Sequence, residues 1–264
     1  MTKEEKILAR FVEKQPLALA LPRAAECLAL NGFKLKIPIL DFGCGDGVFS
    51  LLCFGKRKID VGLDQNPREI ELAKHYQAYR KTTVATGKAI PYSGSYFQTV
   101  IANSVLEHIN GDLQPTLKEI NRVLKKRGIL LFTVPRPVIS GYLFYPKILC
   151  FFRLSGLARS YIDLKQNLWK HHHLLEKEGW QKELQRAGFK IQNSFTLIPP
   201  KTVAFHDIFY IFGIPYVLNK KLFKSSAIFR PGWLGKLLAK LLISYCRVYD
   251  KEGGTTLCIE AVKV

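Results

Sequence analysis

The chain is short of acid. Against 40 Lys and Arg, its 264 residues carry only 21 Asp and Glu, a formal net charge of +19. A surface so poor in carboxylates draws anions: phosphate, nucleic acid or acidic lipid. Residues 1–150 contribute +9 and residues 151–264 contribute +10, so the excess is no detachable basic tail. Also missing is any C-x-x-C pair. Cys27, Cys44, Cys53, Cys150, Cys246 and Cys258 stand scattered; they read as thiols of a reducing compartment, not as a disulfide frame or zinc site. No run reaches the ~18–20 uninterrupted apolar residues of a spanning helix. The first apolar run, Leu17 to Leu21, stops at Pro22, too short for a secretory signal. Repeats and low-complexity tracts are absent. What remains is ordinary globular composition, 48% hydrophobic and 23% charged, in a chain long enough to bury a core. These absences predict a cytoplasmic protein, with peripheral contact at the inner membrane face left open.

Two helices are predicted first, over residues 3–14 and 17–30, stopped by Asn31-Gly32. Short apolar runs then alternate with helical segments. Strands are expected at 37–42, 59–64, 82–86, 96–102 and 129–134, with helices at 48–55, 66–80 and 113–126 between them. After Pro135 the alternation breaks, to resume with a helix at 176–187 and strands at 189–198 and 255–262. Buried strands alternating with helices imply a doubly wound, mostly parallel α/β sheet of seven strands. The expected division is an N-terminal helical segment (1–35), a core (36–135), a first insertion (136–172), a core helix and strand (173–200), a second insertion (201–252) and a last strand (253–264).

The sharpest motif is Leu40-Asp41-Phe42-Gly43-Cys44-Gly45-Asp46-Gly47 at a strand-to-helix turn. Glycines there let backbone pass close to a ligand with φ above zero. A dinucleotide loop would read G-x-G-x-x-G around a pyrophosphate. Here the spacing is G-x-G-x-G, and Asp41 and Asp46 would repel a pyrophosphate. They suit a ligand bearing an ammonium or sulfonium charge. Asp64 ends the second strand, placed to accept from ribose hydroxyls.

With these residues the chain resembles the class I S-adenosylmethionine-dependent methyltransferases, from about residue 37 to 135 and more loosely over 173–198. LDFGCGDG is similar to the family's first motif, and VGLD ending at Asp64 to its ribose-binding acid. Residues 88–109 resemble the stretch around the third and fourth strands, and residues 117–135 the helix and fifth strand that follow. The resemblance implies a Rossmann-like fold with the last strand antiparallel, and S-adenosyl-L-methionine as cofactor. It implies a cofactor site of Asp41, Gly43, Cys44, Gly45, Gly47, Asp64, Gln65, Thr86, Lys88, Ala89, Asn103 and Ser104. At Thr86 the family usually has an Asp that binds the adenine amino group; a hydroxyl accepts in its place.

Glu107-His108 resembles the Glu-His step of quinone-ring O-methyltransferases, where the pair helps to hold a metal. The further acid of that motif, three residues earlier, is Ser104 here, so no metal site is expected; His108 is the one candidate general base. Consecutive His171, His172 and His173 cannot all face one ion and read as a surface or lid. Trp180 lies where the family draws acceptor contacts, with plain packing at least as well supported.

Between Asp207 and Asp250 there is no acid, while Lys220, Lys221, Lys224, Arg230, Lys236, Lys240 and Arg247 are all present. At 100° per residue Lys236, Lys240 and Arg247 fall on one narrow stripe of an apolar helix, the profile of an interfacial helix. The first insertion, with Tyr142, Phe144, Tyr145, Phe151 and Phe152 beside Lys147 and Arg153, is chemically similar. Methyl transfer to a small hydrophobic or lipid-linked acceptor, at oxygen, is therefore expected of a monomer or weak dimer. The alternatives are an RNA methyltransferase, for which the charge argues but which lacks the Asn-Pro-Pro-aromatic signature at 103–106, and a non-catalytic cofactor-binding peripheral membrane protein. A nicotinamide oxidoreductase is disfavoured by the loop spacing.

Overall fold

The structure, a computed structural model, describes residues 1–56, 58–213, 230–246, 248–249 and 253–264. Helix α1 (Lys3–Lys14) opens on a capping box. The Thr2 side chain accepts from the Glu5 N–H at 3.1 Å, and Glu5 accepts in return from the Thr2 N–H at 2.9 Å, satisfying two of the donors a helix start leaves open. Helix α2 (Leu17–Leu30) follows Pro16 and buries Ala20, Leu21, Ala24, Ala25 and Leu30. Strand β1 (Ile39–Phe42) is buried at all four positions, the mark of a strand covered on both faces.

Then come α3 (Val48–Phe54), β2 (Ile59–Asp64), α4 (Pro67–His75), β3 (Tyr79–Val84), β4 (Phe97–Asn103), α5 (Gln114–Val123) and β5 (Leu124–Pro135). The insertion after Pro135 is helical: α6 (Phe144–Phe151) and α7 (Ser155–Trp169). Helix α8 (Lys177–Arg186) and β6 (Phe189–Leu197) return to the core. A second helical insertion, α9 (Pro200–Phe209) and α10 (Gly232–Leu242), precedes β7 (Val248–Tyr249) and β8 (Thr256–Lys263). The sheet order is β3-β2-β1-β4-β5-β8-β6-β7. Strands β1 to β5 pair in parallel, and β8 runs antiparallel to both β5 and β6. The doubly wound sheet and its antiparallel closing strand are those expected; the two-residue edge strand β7 is an addition.

Three boundaries depart from expectation for local reasons. The helix after Asn66 ends at His75, not at residue 80, because Gln77 takes φ 53° and turns the chain into β3 at Tyr79, three residues earlier than predicted. Helix α5 stops at Val123 because Leu124 is taken into the sheet opposite Phe97. Arg127, at φ 60°, then carries β5 through an irregularity into its main register. Lys220, Lys221, Lys224, Arg247 and the end of the apolar run 208–218 lie outside the described residues.

Two cores flank the sheet. One joins α1, α2 and α3 to Leu143, Val203 and Ala239 from the insertions. The other is built by α5 and α8, with Trp180 fully buried and edge-on to Phe132 at 5.2 Å between centroids. Trp180 is thus a packing residue. Trp180→Ala should cost about 3–5 kcal/mol of unfolding free energy, with Trp180→Phe costing less. Chemical denaturation measures it, and a loss below about 1 kcal/mol would contradict the core assignment.

Candidate active site

The glycine loop leaves β1 where the parallel strands end, the side of such sheets on which ligands bind. Each glycine has its own reason. Gly43 takes φ 70°, and a Cβ there would lie 2.4 Å from the Val105 side chain; Gly47 takes φ 74°, with Ala78 at 2.7 Å. Both are packed closed. Gly45, at φ 53°, meets nothing nearer than the Glu69 carboxylate at 3.8 Å, so its open side faces a cavity. The Gly43 and Cys44 N–H groups donate to the Leu63 carbonyl at 2.8 and 2.9 Å. The Gly45 N–H donates to Asp64 Oδ2 at 2.9 Å, which ties the loop to the end of β2.

That cavity, about 230 Å³, is lined by Asp41, Gly43, Cys44, Gly45, Asn103 and Ser104 of the predicted set, together with Gln15, Leu19, Arg23, Asp46, Phe49 and Glu69. Gly47, Asp64, Gln65, Thr86, Lys88 and Ala89 do not line it. Asp64 adjoins through Gly45, with Gln65 exposed beside it. Thr86, Lys88 and Ala89 lie on an exposed turn after β3. Asp41 serves the loop from within: Ser50 Oγ and Tyr79 OH both donate to its Oδ2, the latter at 2.6 Å. Burial pushes the Asp41 carboxyl up to about 6, with those two bonds pulling the other way, and burial likewise raises the Cys44 thiol and the Tyr79 phenol.

Helix α2 roofs the site, which its sequence gave little reason to expect. Glu26, 3% exposed, accepts from Asn103 Nδ2 at 2.9 Å, from Ser104 Oγ at 2.7 Å and from Arg23 at 2.9 Å. The available signal was a lone acid three residues after a lone base in the apolar run LALALPRAAECLAL. Ser104 holds φ 51°, an uncommon conformation for a residue with a side chain, fixed by its N–H on the Thr133 carbonyl at 3.0 Å.

A second cavity of about 230 Å³ shares Leu19, Arg23 and Ser104 with the first. Its walls are largely apolar, from Pro22, Pro135, Ile139, Trp169, Ile198 and Val203, with Glu107, His108, His171 and His206 among them. The three consecutive histidines part company. His171 enters the cavity, His172 is exposed, and His173 Nε2 bonds the Gly111 carbonyl at 3.0 Å. The His172 and His173 N–H groups both reach the Glu107 carbonyl, at 2.7 and 3.2 Å, strapping residues 170–173 to the Glu-His step. Because a carbonyl only accepts, the 3.2 Å contact between His108 Nδ1 and the Lys170 oxygen puts the proton on Nδ1 and leaves Nε2 bare.

Glu107 Oε2 and His171 Nδ1 are buried without a hydrogen-bond partner in the described structure. Burial pushes the Glu107 carboxyl up to about 8, with Glu26 adding to the rise and Arg23 opposing it. Burial lowers His171 and His206 to about 4, and lowers His108 as well. Near neutral pH the cavity therefore holds a protonated carboxyl among neutral imidazoles. Ligand atoms of Glu107, His108 and His171 lie within 4.8 Å of one another, a set able to hold a metal ion. No sequence pattern records this grouping, because His171 reaches it from 63 residues away.

A pH dependence of stability follows from Glu107. The folded chain keeps its proton up to about pH 8, whereas the unfolded chain releases it near the ordinary 4.5. Between those values the folded state binds more protons, so stability falls as pH rises, by at most about 1.4 kcal/mol per pH unit, and is level above 8. Asp41 acts in the same direction but only up to about 6. Glu107→Gln should therefore flatten the upper part of the decline. Denaturation midpoints at pH 6.5 and 8.5 check this, and parallel changes in both proteins would show that Glu107 is already ionised.

A family model for a methyltransferase domain matches residues 8–194. Over 105 residues the chain is 35% identical to malonyl-acyl-carrier-protein O-methyltransferase of Legionella pneumophila, covering 38% of this chain and 36% of that protein. Over 112 residues it is 29% identical to ubiquinone biosynthesis O-methyltransferase of Pelagibacter ubique, covering 41% and 46%. The matched stretch spans less than half the length of either relative. Among solved structures, a methyltransferase of Thermotoga maritima described as a possible histamine N-methyltransferase superposes with a TM-score of 0.61 at 17% identity, covering 94% of this chain and 92% of that one. Phosphoethanolamine N-methyltransferase 2 of Haemonchus contortus, solved with S-adenosyl-L-methionine, gives 0.51 at 17% identity, covering 90% and 52%. These likenesses carry the fold, and the family match runs from α1 through most of β6, across the glycine loop, Asp64 and the whole lining of the first cavity. The chain belongs to the class I S-adenosylmethionine-dependent methyltransferases.

Proposed function

We propose that the chain transfers a methyl group from S-adenosylmethionine to an oxygen of a small hydrophobic or lipid-linked acceptor. The observation that carries this reading is the pair of adjoining cavities with Leu19, Arg23 and Ser104 in common. The residues of the first fit the cofactor. Gly45 leaves backbone open to a ligand, and Asp41, Asp46 and Glu69 against a single Arg23 suit a molecule carrying sulfonium and ammonium charge. Asp64, Gln65 and the turn of Thr86, Lys88 and Ala89 extend that site along the strand ends. S-adenosylmethionine, when bound, supplies an electrophilic methyl group. The chain then has to hold a nucleophile in line and dry, which can provide most of the rate.

The second cavity offers a hydroxyl both kinds of partner. His108 Nε2 is a bare, neutral acceptor, fixed in that tautomer by the Lys170 carbonyl, and takes the proton as the oxygen is methylated. Glu107 and His171 present the unpartnered polar atoms that orient the acceptor, since leaving them unmatched is costly. The apolar walls favour a hydrophobic body behind that hydroxyl. Two relatives named for O-methylation support oxygen as the methylated atom.

Gly45→Val and Asp64→Ala should each weaken S-adenosylmethionine binding more than about tenfold in calorimetry, with circular dichroism reporting a retained fold. Unchanged affinity in both variants would sink the cofactor site. Lipid and polar extracts incubated with methyl-labelled cofactor, with and without the protein, identify the acceptor by mass spectrometry. With it in hand, His108→Ala should lower kcat by about 10²–10⁴-fold. The pH profile should be bell-shaped, its alkaline limb near 8 set by Glu107 and lost in Glu107→Gln. A rate abolished by chelator and restored by a divalent cation would assign Glu107, His108 and His171 to an ion instead.

A further inference from the structure

Helix α7 has three faces. At 100° per residue, Ala158, Ile162, Lys165 and Trp169 fall within one 60° arc, turned to the protein, with Ala158 and Lys165 each 3% exposed. Arg159, Asp163 and Gln166 form a solvated polar arc. Leu157, Leu164 and Leu168 occupy a third arc only 40° wide, and they are 57%, 55% and 54% exposed. The inner face is already filled, so this leucine stripe is not a core contact left loose. It continues into the α6–α7 turn, where Phe151 and Phe152 are 81% and 65% exposed. Isolated exposed apolar residues are normal; a contiguous stripe ending in two phenylalanines is not.

Helix α10 repeats the arrangement. Its small residues Gly235 and Ala239 are buried, Gly235 against Glu13 of α1, while Trp233, Leu237 and Leu241 point outward beside exposed Lys236 and Lys240. Of the basic stripe expected from sequence, Lys236 and Lys240 thus border an apolar band, and Arg247 lies outside the described residues. The two helices are joined to one body through named contacts. Lys165 of α7 lies 3.7 Å from the Tyr210 ring centroid. Gly213, just beyond, approaches Pro16, and Arg230 ahead of α10 donates to the Gln15 carbonyl at 2.7 Å.

We propose that the α6–α7 hairpin, with the outer face of α10, docks on an anionic phospholipid bilayer. Charge selects the occupant. Between residues 136 and 175 the only acid is Asp163, and Lys147, Arg153 and Arg159 are exposed around the apolar turn. Between residues 208 and 249 there is no acid at all. A second copy meeting this face across a twofold axis would set those bases against each other, whereas acidic headgroups would pair with them and receive the Phe and Leu side chains beneath. Among the described residues no helix is long and apolar enough to cross a membrane, so docking is interfacial. Trp169, the last residue of α7, lines the acceptor cavity; the hairpin runs from its exposed turn to that wall. Docking goes beyond the proposed methyl transfer and does not rest on it.

The test is cosedimentation of the full chain with vesicles of phosphatidylglycerol and phosphatidylcholine in equal parts, without cofactor or acceptor. Binding is expected at 0.1 M salt or below, about where the Debye length is ~10 Å, and should fall at 1 M, where it is ~3 Å. Pure phosphatidylcholine vesicles should retain little protein. Lys147→Gln with Arg153→Gln should lower partitioning about 25-fold, at roughly fivefold per basic residue. Phe151→Ser with Phe152→Ser should lower it more than about tenfold, with unchanged circular dichroism because both side chains already face outward. Phe151→Ser alone serves if the pair fails to fold. Trp233 fluorescence should shift to shorter wavelength on vesicles and not on buffer. Absence of binding at low salt, or wild-type binding by the Phe variants, overturns the proposal. So does a lipid-free dimer that the Phe variants dissolve, which would make the face a self-interface. Loss of vesicle binding with calorimetric cofactor affinity intact separates this failure from that of the methyltransferase reading.

Discussion

Both insertions depend on one carboxylate. Asp207 on α9 is fully buried and accepts from the Phe144 and Tyr145 N–H groups at 3.1 and 3.2 Å, from Tyr161 OH at 2.6 Å, and pairs with Lys165 at 3.0 Å. A buried charge is expensive unless its lone pairs are matched, and here they are matched from the α6 N-terminus and from α7 at once. Lys165 is in turn packed against the Tyr210 ring. The first insertion is thereby fastened to the second, although α8 and β6 lie between Lys165 and Asp207 in the chain. Removing one partner would strand the other in a low-dielectric interior, so the pair specifies geometry more than it adds stability. What it specifies is the wall of the second cavity, where Trp169 and His206, each next to a member of this network, face inward.

The parallel core was legible because its strands are continuous apolar runs covered on both faces, and because Gly43, Gly45 and Gly47 are demanded by backbone geometry that only glycine meets without strain. Asp64 was legible for a related reason: its place at the end of β2 follows from the run that precedes it. The roles of Arg23 and Glu26 were hidden. A helix such as α2 shows its apolar period in sequence but not which strand ends it will cover, and Glu26 finds Asn103 and Ser104 only after α2 is laid across the sheet. The surroundings of His171 were hidden for the same reason. Its grouping with Glu107 and His108 arises from a strap closed by backbone bonds to the Glu107 carbonyl, and no local pattern records a contact of that range. Helix ends at Arg80 and Lys126 were overestimated because competition from the sheet, at Tyr79 and Leu124, overrides local helix preference.

The two cavities divide the chemistry by charge. The loop side gathers Asp41, Asp46 and Glu69, and the histidine side holds neutral imidazoles and a carboxyl that keeps its proton to about pH 8. Such a division needs an insulating element, since the Glu26 carboxylate adds to the rise of Glu107. Arg23 supplies it: its guanidinium donates to Glu26 at 2.9 Å and lies in the walls of both cavities. With Glu26 compensated by Arg23, Asn103 and Ser104, the remaining burden of burial falls on Glu107, which answers by holding its proton.

Ser104 sits where those requirements meet. Its φ of 51° would be relieved by glycine, yet a glycine would carry no hydroxyl for Glu26. The sheet makes the strain tolerable, because the Ser104 N–H is held on Thr133 of β5 by both carbonyl and hydroxyl, at 3.0 and 3.1 Å, and Thr133 Oγ1 bonds Asn103 Oδ1 at 2.9 Å. Strained backbone persists only where its surroundings over-determine it. Here the surroundings are two adjacent parallel strands and a buried glutamate from the roof helix. The same three bonds that hold the residue in place also fix the partition between the cavity of the glycine loop and the cavity of the histidines.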